Sequence, residues 1–130
     1  MIQINGWAEI RESFNEEGED EKLLDEITNK IRAKIAEMNY SNEVYDLRRL
    51  NGVIYLTITV SHNHRQEHPI EFFKWVASIA VGSYGLLYVQ DDEDIERGNE
   101  NKFKVWRMKK GNVDELDDPF LSPIIPEIEE

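Results

Sequence analysis

Residues 43–61 read Glu43-Val44-Tyr45-Asp46-Leu47-Arg48-Arg49-Leu50-Asn51-Gly52-Val53-Ile54-Tyr55-Leu56-Thr57-Ile58-Thr59-Val60-Ser61. Asn-Gly is the preferred pair for a two-residue hairpin turn, because both of its positions tolerate positive φ. The segment therefore predicts two antiparallel strands, roughly 43–49 and 53–61. In the second of them Ile54, Leu56, Ile58 and Val60 alternate with Tyr55, Thr57 and Thr59. A period of two with one apolar side marks a strand that buries one face and leaves the other uncovered.

The same period appears at the start of the chain. Ile2, Ile4, Ala8 and Ile10 fall on one side of a strand over residues 2–11; Gln3, Asn5, Trp7, Glu9 and Arg11 fall on the other. Between this strand and the hairpin the period changes to three and four. The acidic stretch from Glu16 to Glu21 leads into a stripe of Leu23, Leu24, Ile27, Ile31, Ile35 and Met38. Carboxylates at that end favour a helix through its backbone dipole, and the stripe makes the helix amphipathic. Beyond the hairpin a second helix is expected over about 66–81, with Ile70, Phe72, Phe73, Val76, Ile79 and Ala80 as its apolar residues and Gly82 as its stop. A strand over 84–90, an acidic loop opening at Asp91, and a strand over 102–109 follow. After Asp118 the residues Pro119, Pro123 and Pro126 exclude a regular helix or a central strand.

This order, βαββαβ plus one strand, predicts a two-layer α+β sandwich of split βαβ type that resembles the ferredoxin-like fold. The expected sheet is antiparallel, with about five strands in the order 5-4-1-3-2. Two helices cover one face, and a Pro-rich C-terminal tail follows. At 130 residues the chain matches one domain spanning 1–130, of a size that buries about two-thirds of the surface its unfolded form exposes.

Composition narrows the function. There is no cysteine, so disulfide scaffolds and Cys-ligated metal centres are excluded. No apolar run approaches the roughly 18 residues of a membrane span, and the start lacks the basic and apolar regions of a signal peptide. A cytoplasmic location is expected. The 27 acids against 15 Lys plus Arg leave a net charge of −12. That charge repels free nucleic acid and anionic membranes and attracts basic proteins. The acids lie on the flanks; the middle of the chain is neutral.

His62, His64 and His68 cluster with Glu67 between the third strand and the second helix. Imidazole and carboxylate can hold zinc, but the spacing matches no metal motif, so a loop of solvated histidines is the better reading. No metal and no cofactor is expected. Asp91, Asp92, Glu93 and Asp94 have three readings: a site for a hard cation, a polar loop, or an anionic surface for a cationic partner. The calcium-loop register fails at Gly98. No nucleophile elbow and no phosphate-cradling loop is present, because Gly82-Ser83-Tyr84-Gly85 lacks the required Lys and spacing. Catalysis has little support.

The aromatic residues are more informative. If Ile54, Leu56 and Ile58 face the helices, Tyr55 lies on the opposite face, and alternation places Trp7 and Trp106 there with Tyr88 beside them. Large aromatics on a helix-free face mark an interface or need a cover. Three explanations stand equal: the tail folds over them with Phe120 and Leu121, a homodimer forms, or a partner docks.

A set of motifs then carries a resemblance. Gly6-Trp7-Ala8 precedes Ile10-Arg11-Glu12-Ser13, and Asn51-Gly52 precedes Asn63-His64-Arg65. Gly82-Ser83-Tyr84-Gly85-Leu86-Leu87-Tyr88 runs into Asp91-Asp92-Glu93-Asp94, followed by Phe103-Lys104-Val105-Trp106-Arg107 and Asp117-Asp118-Pro119-Phe120-Leu121-Ser122-Pro123. In this order they resemble the immunity protein 7 family of bacterial polymorphic toxin systems, over nearly the whole chain. The resemblance implies a non-enzymatic protein made beside a toxin, one that binds the toxin's C-terminal effector domain and blocks it. Such effectors are often nucleases or nucleic-acid deaminases, so a basic partner is expected. On this reading Asp91, Asp92, Glu93 and Asp94 steer the partner, and Trp7, Tyr88 and Trp106 anchor it. The alternatives are a small-molecule-binding α+β module and, behind it, a metal-dependent enzyme using the histidines.

Overall fold

The computed structural model describes residues 1–14 and 19–123. Glu16 and Glu17 of the acidic stretch, and Ile124, Ile125 and Pro126 of the tail, lie outside the described residues. Along the chain run β1 (Ile2–Ile10), α1 (Glu21–Glu37), β2 (Glu43–Leu50), β3 (Val53–His62), α2 (His68–Ile79), β4 (Tyr84–Asp91), β5 (Lys104–Lys109) and β6 (Asn112–Asp117). Among the described residues the fold is α+β, with two helices and one sheet in the order β2-β3-β1-β4-β5-β6. Every neighbouring pair is antiparallel.

The first five strands keep the expected order. The expected count of five is corrected to six, because β6 pairs outside β5. Its turn, Lys110-Gly111, has φ of 50° and 78°, close to the 51° and 78° of Asn51-Gly52. The two turns thus share one backbone geometry, but a lysine at the first position hides it. Acids at Asp114, Glu115 and Asp117 leave β6 only Val113 and Leu116 as apolar markers.

The core is the inward face of this sheet. Ile2, Ile4, Ala8 and Ile10 of β1 lie beside Ile54, Leu56, Ile58 and Val60 of β3, and Leu87, Val89 and Met108 continue the face. Ile27 and Ile31 of α1 and Phe72, Phe73, Val76 and Ala77 of α2 join the same cluster. Fully burying a side chain such as Phe73 stabilises the fold by about 1.5–3 kcal/mol. The α1 stripe is narrower than its spacing suggests, since Leu23 is exposed. The helix starts where the Asp20 carboxylate accepts a hydrogen bond from the Leu23 N–H at 3.0 Å. Helix α2 begins two residues later than expected, with Pro69 in the first turn, where no backbone N–H is required.

Gly82 has a different duty from the expected helix stop. Its N–H donates to the Arg11 carbonyl at 3.1 Å, and the Ser83 hydroxyl accepts from the Arg11 N–H at 2.9 Å. This pair stitches the start of β4 to the end of β1. Gly85 then packs so closely on β1 that a Cβ would stand 2.1 Å from the Trp7 carbonyl oxygen and 2.6 Å from the Ala8 Cα. The obstacles are backbone and cannot swing aside. Gly85→Ala should therefore cost about 1–3 kcal/mol in urea unfolding, as overpacking does when strands must shift.

Candidate functional site

The helix-free face of the sheet is built by the alternate residues of the same strands. Trp7 lies between Thr57 of β3 and Leu86 of β4. Tyr84 meets it edge-on, with ring centroids 6.1 Å apart. Trp7 is 40% and Tyr84 43% exposed. Together with Gly85, Leu86, Arg107, Met108 and Lys109 they line a shallow apolar depression. Tyr55 also faces solvent here, while Tyr88 is half-buried and edge-on to Phe103. Arg107 pairs with Asp114, and Arg48 with Asp46, so charges near the rings neutralise one another.

Trp106 is not part of this face. It opposes Leu87 and Glu115, packs against the core from the helix side, and has the Lys74 Nζ 4.9 Å from its ring centroid. The expectation that it joins Trp7 is therefore corrected. Residues 103–108 are apolar at both parities (Phe103 and Val105, then Trp106 and Met108), and only pairing with β4 settles the phase. Nor does the tail cover the rings within the described residues, since Phe120 is 82% exposed.

The acidic loop is held by its own contacts. Asp91, buried at the end of β4, accepts from the Glu93 N–H at 3.1 Å and from Arg65 at 3.3 Å. Asp94 accepts from the Asn99 side chain at 2.9 Å and lies 3.7 Å from Arg97, which also pairs with Glu115. Asp92 and Glu93 face outward and bind the N-terminal ammonium at 2.8 and 3.2 Å; Glu93 also meets His64 at 2.9 Å. These acids sit beyond Ile2, whereas Trp7 is five residues further along β1, a distance of about 17 Å. The aromatic and acidic candidates thus form two areas rather than one patch.

The histidine cluster is divided. His64 belongs to the acidic corner and Glu67 pairs with Arg65 at 2.5 Å. His62 and His68 are half-buried instead and converge on Glu43, each placing Nε2 on the same carboxylate oxygen, at 2.6 and 2.5 Å. The Glu43 side chain is wholly buried. Its second oxygen accepts from the Tyr45 hydroxyl at 2.7 Å. Burial, then the Glu43 carboxylate, pushes the Tyr45 phenol up, so it remains a donor. Tyr40 stacks on His68 at 4.1 Å. Sequence reasoning passed over Glu43. The available signal was a glutamate at the parity of Tyr45 and Leu47, which face the core.

A small α+β domain with an aromatic sheet face left open among the described residues and a large excess of carboxylates has the build of a protein-binding module. The chain belongs to the immunity protein 7 family, whose sequence model, described as Immunity protein 7, matches residues 1–130. Membership in that family implies binding to a cognate toxin. No curated protein and no solved structure matches the chain.

Two outcomes follow from these contacts. Tyr45→Phe strips a buried carboxylate oxygen of its donor and should cost about 1–3 kcal/mol in urea unfolding. The acidic corner should also respond to pH at both ends. The N-terminal ammonium, then His64, holds the Glu93 carboxyl below its ordinary 4.5, so its contribution is present above 4.5 and is lost as pH falls through the folded value. Hydrogen bonding to Asp92 raises the amine above its ordinary 8.0, so that contribution is full below 8.0 and is lost as pH rises through the folded value. The difference in melting temperature between the wild type and an Asp92→Asn, Glu93→Gln double variant should be largest between those limits and shrink on either side.

Proposed function

We propose that the protein neutralises the C-terminal effector domain of a bacterial polymorphic toxin in the cytoplasm, by binding it and without bond-making chemistry of its own. The observation that supports this reading is the sheet face left open among the described residues, with Trp7 and Tyr84 side by side and half in solvent, in a chain that belongs to an immunity family. The fold reads as the split βαβ, ferredoxin-like sandwich, widened by the β5–β6 hairpin. That hairpin extends the open face without adding a helix to cover it.

Anchoring and steering are separate tasks on this surface. Trp7, Tyr84 and Tyr88 are the anchors; large rings in a desolvated patch dominate the dissociation rate of most interfaces. Trp106 supports β5 from the other side. Asp92 and Glu93 present charge outward, while Asp91 and Asp94 shape the loop that carries them. A net charge of −12 supports a basic partner such as a nuclease or another nucleic-acid-targeting domain, and disfavours direct nucleic-acid or membrane binding. A homodimer through the same face would compete with the toxin for the rings.

Co-expression with the effector domain of the toxin encoded beside it tests the reading: the wild type should restore growth, and failure to protect overturns it. Trp7→Ala combined with Tyr84→Ala should abolish protection mainly by speeding dissociation, with loss of about 2 kcal/mol or more of binding free energy. Asp92→Lys with Glu93→Lys should instead slow association by about tenfold at low salt. An unchanged rate and salt dependence would refute steering by this corner.

A further inference from the structure

We infer that Glu43, His62 and His68 form a binding site for one divalent transition-metal ion of the zinc class. This inference is independent of the toxin-binding reading. Three elements supply the donors. Glu43 opens β2 and is in register with Val60, so His62, two residues on in β3, is its diagonal neighbour on the helix side of the sheet. His68 reaches down from the first turn of α2. The Glu43 oxygen and the two imidazole nitrogens all lie within 4.8 Å of one another, the one such grouping of three among the described residues.

The donor set selects the ion. Two imidazoles and one carboxylate suit zinc and its transition-metal neighbours, whereas magnesium and calcium require mostly oxygen. Three protein ligands leave a fourth tetrahedral position for water or another donor. His62 also lines an open groove with Asn42, Ser61, Asn63, His64 and Gln66, which gives solvent a path to the site. The supporting contacts match those of a metal carboxylate. Tyr45 holds the distal oxygen of Glu43 and Tyr40 stacks on His68, so a ligand carboxylate and a ligand ring are both oriented from outside.

Tetrahedral zinc with bonds of about 2.0–2.1 Å separates its ligand atoms by about 3.3 Å. The nitrogen–oxygen distances here are 2.6 and 2.5 Å. Entry of the ion therefore needs the carboxylate to withdraw by less than about 1 Å, with the hydrogen bonds exchanged for metal bonds. A bound ion would tie the edge strand β2 to β3 and to the start of α2.

The chain has three histidines and no cysteine, which makes the test clean. Tag-free full-length protein, stripped with chelator, is titrated with zinc chloride and followed by equilibrium dialysis and thermal melting. One zinc per chain should bind, and the melting temperature should rise until chelator is added; magnesium should do neither. Glu43→Gln, a near-isosteric change, and His68→Ala should each weaken zinc binding by at least about tenfold, while His64→Ala should leave it unchanged. In nitrogen-detected NMR the His62 and His68 Nε2 resonances should shift on zinc addition. Absence of stoichiometric zinc binding by the wild type overturns the inference, as does binding that Glu43→Gln and His68→Ala leave intact.

Discussion

Strand β1 pairs with β3 along one edge and with β4 along the other, and its alternation places every side chain of the central sheet. Ile2, Ile4, Ala8 and Ile10 point to the helices, so Gln3, Asn5, Trp7 and Glu9 must point away. A shift of one residue in either pairing would turn Trp7 into the core and Ile4 into water. Two close approaches hold that register. Gly85 lies against the backbone of Trp7 and Ala8, and Gly82 with Ser83 binds Arg11 at the end of the strand. The motif Gly82-Ser83-Tyr84-Gly85 thus has a packing role at its glycines and serine and presents a ring at its tyrosine.

The negative charge of the molecule is less free than its sum implies. Asp91 and Asp94 are held by Arg65, Arg97 and Asn99, and Glu115 and Asp117 pair with Arg97 and Lys104. The exposed pairs among them contribute little stability each. Together they fasten the long connection between β4 and β5 against the end of the sheet. Asp92 and Glu93, which meet the N-terminal ammonium, stay exposed at that corner, as do Glu96 and Glu100 further along the connection. Long-range attraction depends on the summed field, so internal pairing lowers local contrast without removing the net charge of −12.

On the proposed reading, rings near the middle of the open face and carboxylates at one end divide two kinetic tasks. Charge acts over about a Debye length, roughly 8–10 Å at ordinary ionic strength, before contact. Aromatic burial acts only once water has left the interface. Such a division suits an inhibitor that must capture quickly and release slowly. The Glu43 cluster stands apart from both, on the helix side of the sheet, and bears on how firmly the edge strand β2 is held.

Much of the architecture was legible because periodicity is a local property. The Asn51-Gly52 turn, the alternation of β1 and β3, and the apolar residues of α2 each declare themselves within about ten residues. Strand β6 escaped because acids occupy half of its positions and its turn begins with Lys110. The rings of Trp7 and Tyr88 could be placed on the open face from the alternation, but Trp106 could not, since a loop of a dozen residues resets the phase of β5. Glu43 was invisible as a partner of His62 and His68, being 19 and 25 residues away. The sequence by itself determined the fold class, the order of the first five strands, the acidic character and the family resemblance. Only the tertiary structure decided which ring faces solvent, which carboxylate is already paired, and which histidines meet a buried acid, because strand register and helix docking bring together residues that no local pattern connects.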